Sequence, residues 1–189
     1  MNVYFFGGTF DPPHKAHKLI YKHCINLCDK FIFVPVAQSP GKTIPSATDE
    51  QRIDMLKLLI DTEDSNKVSI DRFEIDSDKK PSYTIDTISY LKKKFNNDSI
   101  HMVIGADQYK SLSDWKDYSK IIKEVKIVCF NRKVSQLDNQ NDIKFIDFDY
   151  QISSTEIRSE ISIGNRDKIK NHLTKEIDRL IFNNGLYVN

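Results

Sequence analysis

A doubly wound α/β fold built on a parallel sheet is what this sequence predicts, and three observations carry the prediction. Short unbroken apolar runs, such as Val3-Tyr4-Phe5-Phe6 and Phe31 to Val36, have the look of strands covered on both faces. Between them lie segments whose apolar residues recur every three to four positions, as on a helix with one buried face. Strands and helices alternate, which is the pattern of crossover connections in a Rossmann-like sheet.

The elements follow in order. The first strand stops at Gly7-Gly8, and Ala16, Leu19, Ile20, Cys24 and Leu27 then share a helical face. After the second strand, Thr48 and Gln51 have capping-box spacing ahead of Ile53, Met55, Leu56, Leu59 and Ile60, which starts a second helix. Val68 to Phe73 is a third strand, and Tyr83 to Phe95 a third helix facing inward through Ile85, Ile88 and Leu91. Ile100 to Ile104 and Val125 to Phe130 are buried strands, separated by a stretch with Trp115 and the helical Ile121-Ile122. A polar loop from Asn131 to Asp142 precedes a last strand at Ile143 to Phe148. A small C-terminal helical part completes the chain: one helix opened by Ser153 and Glu156 and closed by Gly164, and one from about Thr174 to Asn184-Gly185. No repeat or interdomain linker breaks the pattern, so residues 1–189 read as a single domain.

Composition narrows the function classes. With 39% apolar, 11% aromatic and 29% charged residues in 189, the chain has the make-up of a folded globular protein rather than a disordered or coiled-coil one. Twenty-eight basic against 27 acidic side chains leave a formal charge of +1, too balanced for a dedicated nucleic-acid binder, so any anion is met locally in a site. No apolar run approaches membrane-spanning length, and Asp11, Pro12 and Pro13 interrupt the N-terminus too early for a secretory signal. Cys24 and Cys28 are four apart, but no third ligand accompanies them, so with Cys129 they read as buried thiols of a cytoplasmic protein. Among the other charged groups, the Lys92-Lys93-Lys94 run reads as a solvated face.

Ligands of such sheets bind beyond the carboxyl ends of the strands. There, Gly7-Gly8-Thr9-Phe10-Asp11-Pro12-Pro13-His14-Lys15-Ala16-His17 joins two glycines to a helix start, whose amides and dipole favour phosphate. His14 and His17 stand three apart on one face, where two imidazoles can meet one phosphate chain. No G-x-G-x-x-G fits this segment, and Gly41-Lys42-Thr43 is no P-loop because Val36 occupies the place of its first glycine. Ile152-Ser153-Ser154-Thr155-Glu156-Ile157-Arg158 presents a second anion site, a helix start with three hydroxyls and an arginine one turn in; taken alone it also reads as a plain capped helix.

Together these segments resemble the paired G-G-T-F-D-P-x-H-x-G-H and I-S-S-T-x-I-R signatures of the nucleotidyltransferase superfamily. Within it, the chain is similar over nearly its whole length to the nicotinate-nucleotide adenylyltransferase family. Further matching stretches are Gln51-Arg52 with Met55-Leu56, Ser82 to Thr87, Ile104-Gly105-Ala106-Asp107 with Trp115, and the closing Leu186-Tyr187. Ala16 replaces the usual glycine, and Ser39-Pro40-Gly41-Lys42 stands where the family often has Pro-Pro-His-Lys, leaving Lys42 as the phosphate contact there.

The resemblance implies transfer of the adenylyl group of ATP to nicotinate mononucleotide, by in-line attack on the α-phosphorus without a covalent intermediate. It implies ATP contacts from Gly7, Gly8, Thr9, Phe10, Asp11, Ser153, Ser154 and Thr155, and a positive field from His14, His17, Lys42 and Arg158. Magnesium arrives on the ATP phosphates, with no protein-only metal cage. On the acceptor side it implies Tyr83, Thr84, Gly105, Asp107 and Trp115. Each has a plainer reading beside it: core packing for Trp115, a helix cap for Thr84, a turn residue for Asp107. The functional reading places a pyridinium ring on the indole face and a carboxylate on the helix-start donors of Tyr83-Thr84. Nicotinamide mononucleotide or phosphopantetheine as acceptor, or a nucleotide-binding regulator without turnover, are the alternatives. A homo-oligomer is compatible with the sequence, as is a monomer.

Overall fold

Each apolar run singled out above forms a strand, and the six strands make one sheet. The structure, a computed structural model, describes residues 1–41, 43–78, 80–96, 98–131 and 143–188. In chain order the elements are β1 (Asn2–Gly8), α1 (Lys15–Cys24), β2 (Lys30–Pro35), α2 (Asp49–Leu59), β3 (Val68–Ile70), α3 (Thr84–Lys94) and β4 (Ser99–Gly105). They continue with α4 (Ala106–Lys110), α5 (Tyr118–Glu124), β5 (Lys126–Asn131), β6 (Ile143–Asp147), α6 (Ser154–Ser162), α7 (Arg166–Ile169) and α8 (Lys175–Asn183). The spatial order is β3-β2-β1-β4-β5-β6 and every neighbouring pair runs parallel. The order reverses between β1 and β4, and a crevice at their carboxyl ends is where such sheets receive ligands.

Alternation along the strands fills two cores. Tyr4 and Phe6 of β1, with Phe31 and Phe33 of β2, face α1, α2, α6 and α8. Val3 and Phe5, with Ile32 and Val34, face α3 and α5 on the other side. Helix signals act as the spacing predicts. Thr48 accepts the amide of Gln51 while Gln51 accepts that of Thr48, closing the capping box of α2. Ser153 caps α6 through the Glu156 amide, and Gly164, at φ +74°, turns the chain after it.

The structure differs from these expectations at several places. The third strand ends at Ile70, not Phe73, because the chain turns at residues 73–75. The first helix ends at Cys24, so Leu27 falls past its end at 36% exposed, and Leu19 stands at 45% on the flank of a buried row formed by Ala16, Ile20 and Cys24. Tyr21 joins that row instead, fully buried, with its hydroxyl accepting the Asp61 amide. The short α4 and α7 have too few residues to display a period and are not foreseen. Of the polar loop after β5, residues 132–142 lie outside the described set, and Asn131 itself belongs to β5.

Candidate active site

The loop leaving β1 shapes the site by packing. Phe10 adopts φ +52°, a left-handed conformation unusual for an aromatic residue, and its ring turns inward to meet Phe6, Phe33 and His17. A Cβ on Gly8 would come within 3.0–3.3 Å of that ring, close enough that the ring would have to give way by a few tenths of an ångström. Phe10 therefore offers a ligand its backbone, since its side chain is core.

His14 and His17 lie at the start of α1 with rings stacked 3.8 Å apart. The His14 amide donates to Nδ1 of His17 at 3.1 Å, which leaves the proton of a neutral His17 on Nε2. Burial, and after it repulsion that a second proton would meet among the clustered imidazoles of His17 and His172, holds His14 well below its ordinary value. Desolvation likewise lowers His17 to about 3. The expected positive charge on this pair is thus corrected: at neutral pH both imidazoles are uncharged, each keeping one ring N–H. Nδ1 of His14 is buried with no hydrogen-bond partner, a polar atom awaiting one.

The two anion motifs meet. Arg158 Nη1 donates to the Asp11 carbonyl at 2.6 Å, and the Ser154 hydroxyl donates to the Pro12 carbonyl at 2.9 Å. The start of α6 is in this way bolted to the segment that precedes α1. Some side chains assigned to ATP are committed to this scaffold. Ser153 is a helix cap, and the one proton of the Ser154 hydroxyl is given to Pro12. Asp11, 2% exposed, accepts the amides of Ser46 and Ala47 and the hydroxyl of Tyr187, so its carboxylate is structural. Thr155 accepts from Arg158 Nη2 at 3.4 Å, and Arg158 keeps 29% of its side chain exposed. Lys42 lies outside the described residues; its neighbour Gly41 has φ +69°, a conformation that a histidine would adopt only under strain.

At the strand-order reversal opens a cavity of about 660 Å³. Gly7, Gly8 and Thr9 from the end of β1, Ile104 from β4 and Asp107 from α4 line it, together with Tyr83, Thr84 and Trp115. Tyr83 is the residue before α3 and Thr84 the first within it, so the cap is Tyr83 and not Thr84. Trp115 packs partly on the second core and also lines the cavity. Asp107 is 95% exposed and pairs loosely with Lys110 at 3.7 Å. Gly105 lines nothing here; its amide donates to Gln108 Oε1. None of His14, His17, Arg158 or the 153–155 hydroxyls forms this cavity's wall, and the loop from Gly7 to His14 joins the two halves of the site.

The cytidylyltransferase-like family model matches residues 5–160. Among curated proteins, the probable nicotinate-nucleotide adenylyltransferase of Shouchella clausii is 34% identical over 96% of this chain and 94% of its own length. That of Borrelia garinii is 35% identical over 100% and 95%. The chain belongs to the nicotinate-nucleotide adenylyltransferase family. The family's fold is seen in the Plasmodium falciparum nicotinic acid mononucleotide adenylyltransferase complexed with NaAD, which superposes with TM-score 0.85 at 20% identity, covering 98% of this chain and 97% of that one.

Three residues of this adenylyltransferase-family site carry no role in the sequence reading. Arg52 is fully buried, its Nη1 donating to the carbonyls of Thr9 and Val36 at 2.6 and 2.9 Å, its Nη2 to Asp49. A signal existed: Arg52 falls in the same helical row as Leu56 and Leu59, an arginine at a core position. Glu74 is 6% exposed, lines the cavity and accepts the Thr87 hydroxyl; burial raises it above the usual carboxylate range. No periodicity marks it. Tyr187 reaches Asp11 from the far end of the chain, and only the tertiary structure reveals that.

Proposed function

We propose that this chain joins nicotinate mononucleotide to the adenylyl part of ATP, yielding nicotinate adenine dinucleotide and pyrophosphate. One observation carries the reading: the start of α6 is fastened to the segment before α1 through Arg158 and Ser154, beside a cavity walled by Trp115, Tyr83 and Thr84. The names of the curated relatives and of the NaAD-bound neighbour support it. The triphosphate lies along the first amides of α1 and α6, whose dipoles and unpaired N–H groups suit an anion. The neutral imidazoles of His14 and His17 donate to phosphate oxygens, while Arg158 supplies the fixed charge. Lys42 adds a second cation. Thr9 contributes its backbone and Thr155 its hydroxyl proton.

The acceptor's pyridinium ring lies against Trp115, and its carboxylate lies at the start of α3. Its phosphate then faces the α-phosphorus in line with the departing pyrophosphate. The chemistry is alignment and charge neutralisation, with no protein nucleophile. Magnesium enters with ATP and neutralises phosphate charge. Among the described residues no group of three metal-ligating side chains converges, so its ligands on this reading are phosphate oxygens and water. Three free, buried cysteines support a reducing, cytoplasmic setting. Mixing the protein with ATP, magnesium and nicotinate mononucleotide releases pyrophosphate, faster than with nicotinamide mononucleotide. Equal rates with the amide overturn the acceptor assignment, and no release overturns the reaction.

A further inference from the structure

The carboxylate of Asp11 ties together four parts of the chain that are far apart in sequence. Its Oδ2 accepts the Ser46 amide at 2.8 Å, and its Oδ1 accepts the Ala47 amide at 3.1 Å and the Tyr187 hydroxyl at 2.8 Å. Arg158 Nη1 sits 3.8 Å from Oδ2 and bonds the carbonyl of the same residue at 2.6 Å. Asp11 therefore holds the guanidinium by its backbone, while Tyr187 and the 46–47 segment hold Asp11 by its side chain.

Tyr187 itself and the residue before Asp11 carry backbone strain. Tyr187 has φ +66°, and Phe10, next to Asp11, has φ +52°; the third non-glycine residue in this region among those described, Asp117, lies elsewhere. Side chains with a Cβ enter the left-handed region at a free-energy cost, and they stay there only where surrounding contacts impose it. The contact imposed here is a phenol on a carboxylate that is 2% exposed. Burial and the neighbouring Asp11 charge push the Tyr187 hydroxyl well above its ordinary range, so it stays a donor. Leu186 and Tyr187 pack on the core, which seats the tail.

We propose that Tyr187 is a positioning residue for adenylyl transfer: its hydroxyl fixes Asp11, and Asp11 fixes Arg158 against the phosphates. This rests on the adenylyl-transfer reading above. A tail residue with no place in either motif thereby takes part in aligning the reaction.

The test is Y187F in the full chain, assayed well below its unfolding midpoint. Removing one oxygen leaves Asp11 its two amides and Arg158, so the guanidinium shifts without being lost. The expected result is a fall in kcat of about tenfold, less than the roughly hundredfold of a full 1 Å misplacement. Acceptor affinity, read from Trp115 fluorescence, stays within about twofold of the parent, which also reports an intact fold. In an R158A background the same change has almost no further effect, because the residue it acts through is gone. A kcat for Y187F within twofold of the parent, or losses that multiply in the double variant, overturns the proposal. A parent that releases no pyrophosphate sinks the adenylyl-transfer reading and this proposal with it; an active parent with an unaffected Y187F sinks this proposal alone.

Discussion

The two nitrogens of His17 have separate jobs. Nδ1 accepts the His14 amide and so helps build the start of α1, whereas Nε2 carries the proton that, on the proposed function, is offered to phosphate. Asparagine reproduces the first job and not the second, because its oxygen stands near where Nδ1 does. H17N is therefore expected to unfold within a few degrees of the parent while kcat falls about a hundredfold to a thousandfold, the usual loss for one preorganised donor. Activity measured beside a thermal melt checks this, and a variant that loses both together contradicts the division of roles. The orphaned Nδ1 of His14 fits the same proposed function, since a buried polar atom without a partner is costly to leave unpaired.

At the scale of the element, α2 does two things that mutation separates. Its capping box, Thr48 with Gln51, secures the helix end. T48A is expected to lower stability by about 1 kcal/mol with kcat unchanged. Arg52, four residues on, clamps the carbonyls of Thr9 and Val36, which follow β1 and β2. R52M leaves both carbonyls unpaired and is expected to destabilise by roughly 3 kcal/mol and to weaken turnover as well. Denaturant titration with a parallel assay distinguishes them. The capping box is legible in sequence because its two residues are three apart. The clamp is visible only as an arginine in an apolar row, because its partners lie 16 and 43 residues away.

For the whole molecule, burial of uncharged imidazoles makes stability depend on pH. His14, His17 and His101 all titrate below 6.5 in the folded chain, chiefly through desolvation. As pH falls through 6.5 the unfolded chain takes up protons that the folded one refuses, so stability declines from there toward His17's value of about 3. Glu74, raised by burial, works the opposite way, but it is one group against three. Unfolding free energy is expected to drop by about 2 kcal/mol between pH 7.5 and 5.5, measured in denaturant at both values; a flat profile would contradict the neutral state of the histidines. By itself the sequence determined the strand and helix alternation and the two motifs at the starts of α1 and α6. Those signals lie within spans of a few residues, where periodicity, capping and turn chemistry act. Only the tertiary structure decided that the histidines are uncharged, that Asp11 is a strut, that Arg52 clamps the carbonyls of Thr9 and Val36, and that Tyr187 reaches Asp11. Charge state depends on how much water packing removes, and a hydrogen bond between residues 11 and 187 depends on the closure of the whole fold, which no local pattern records.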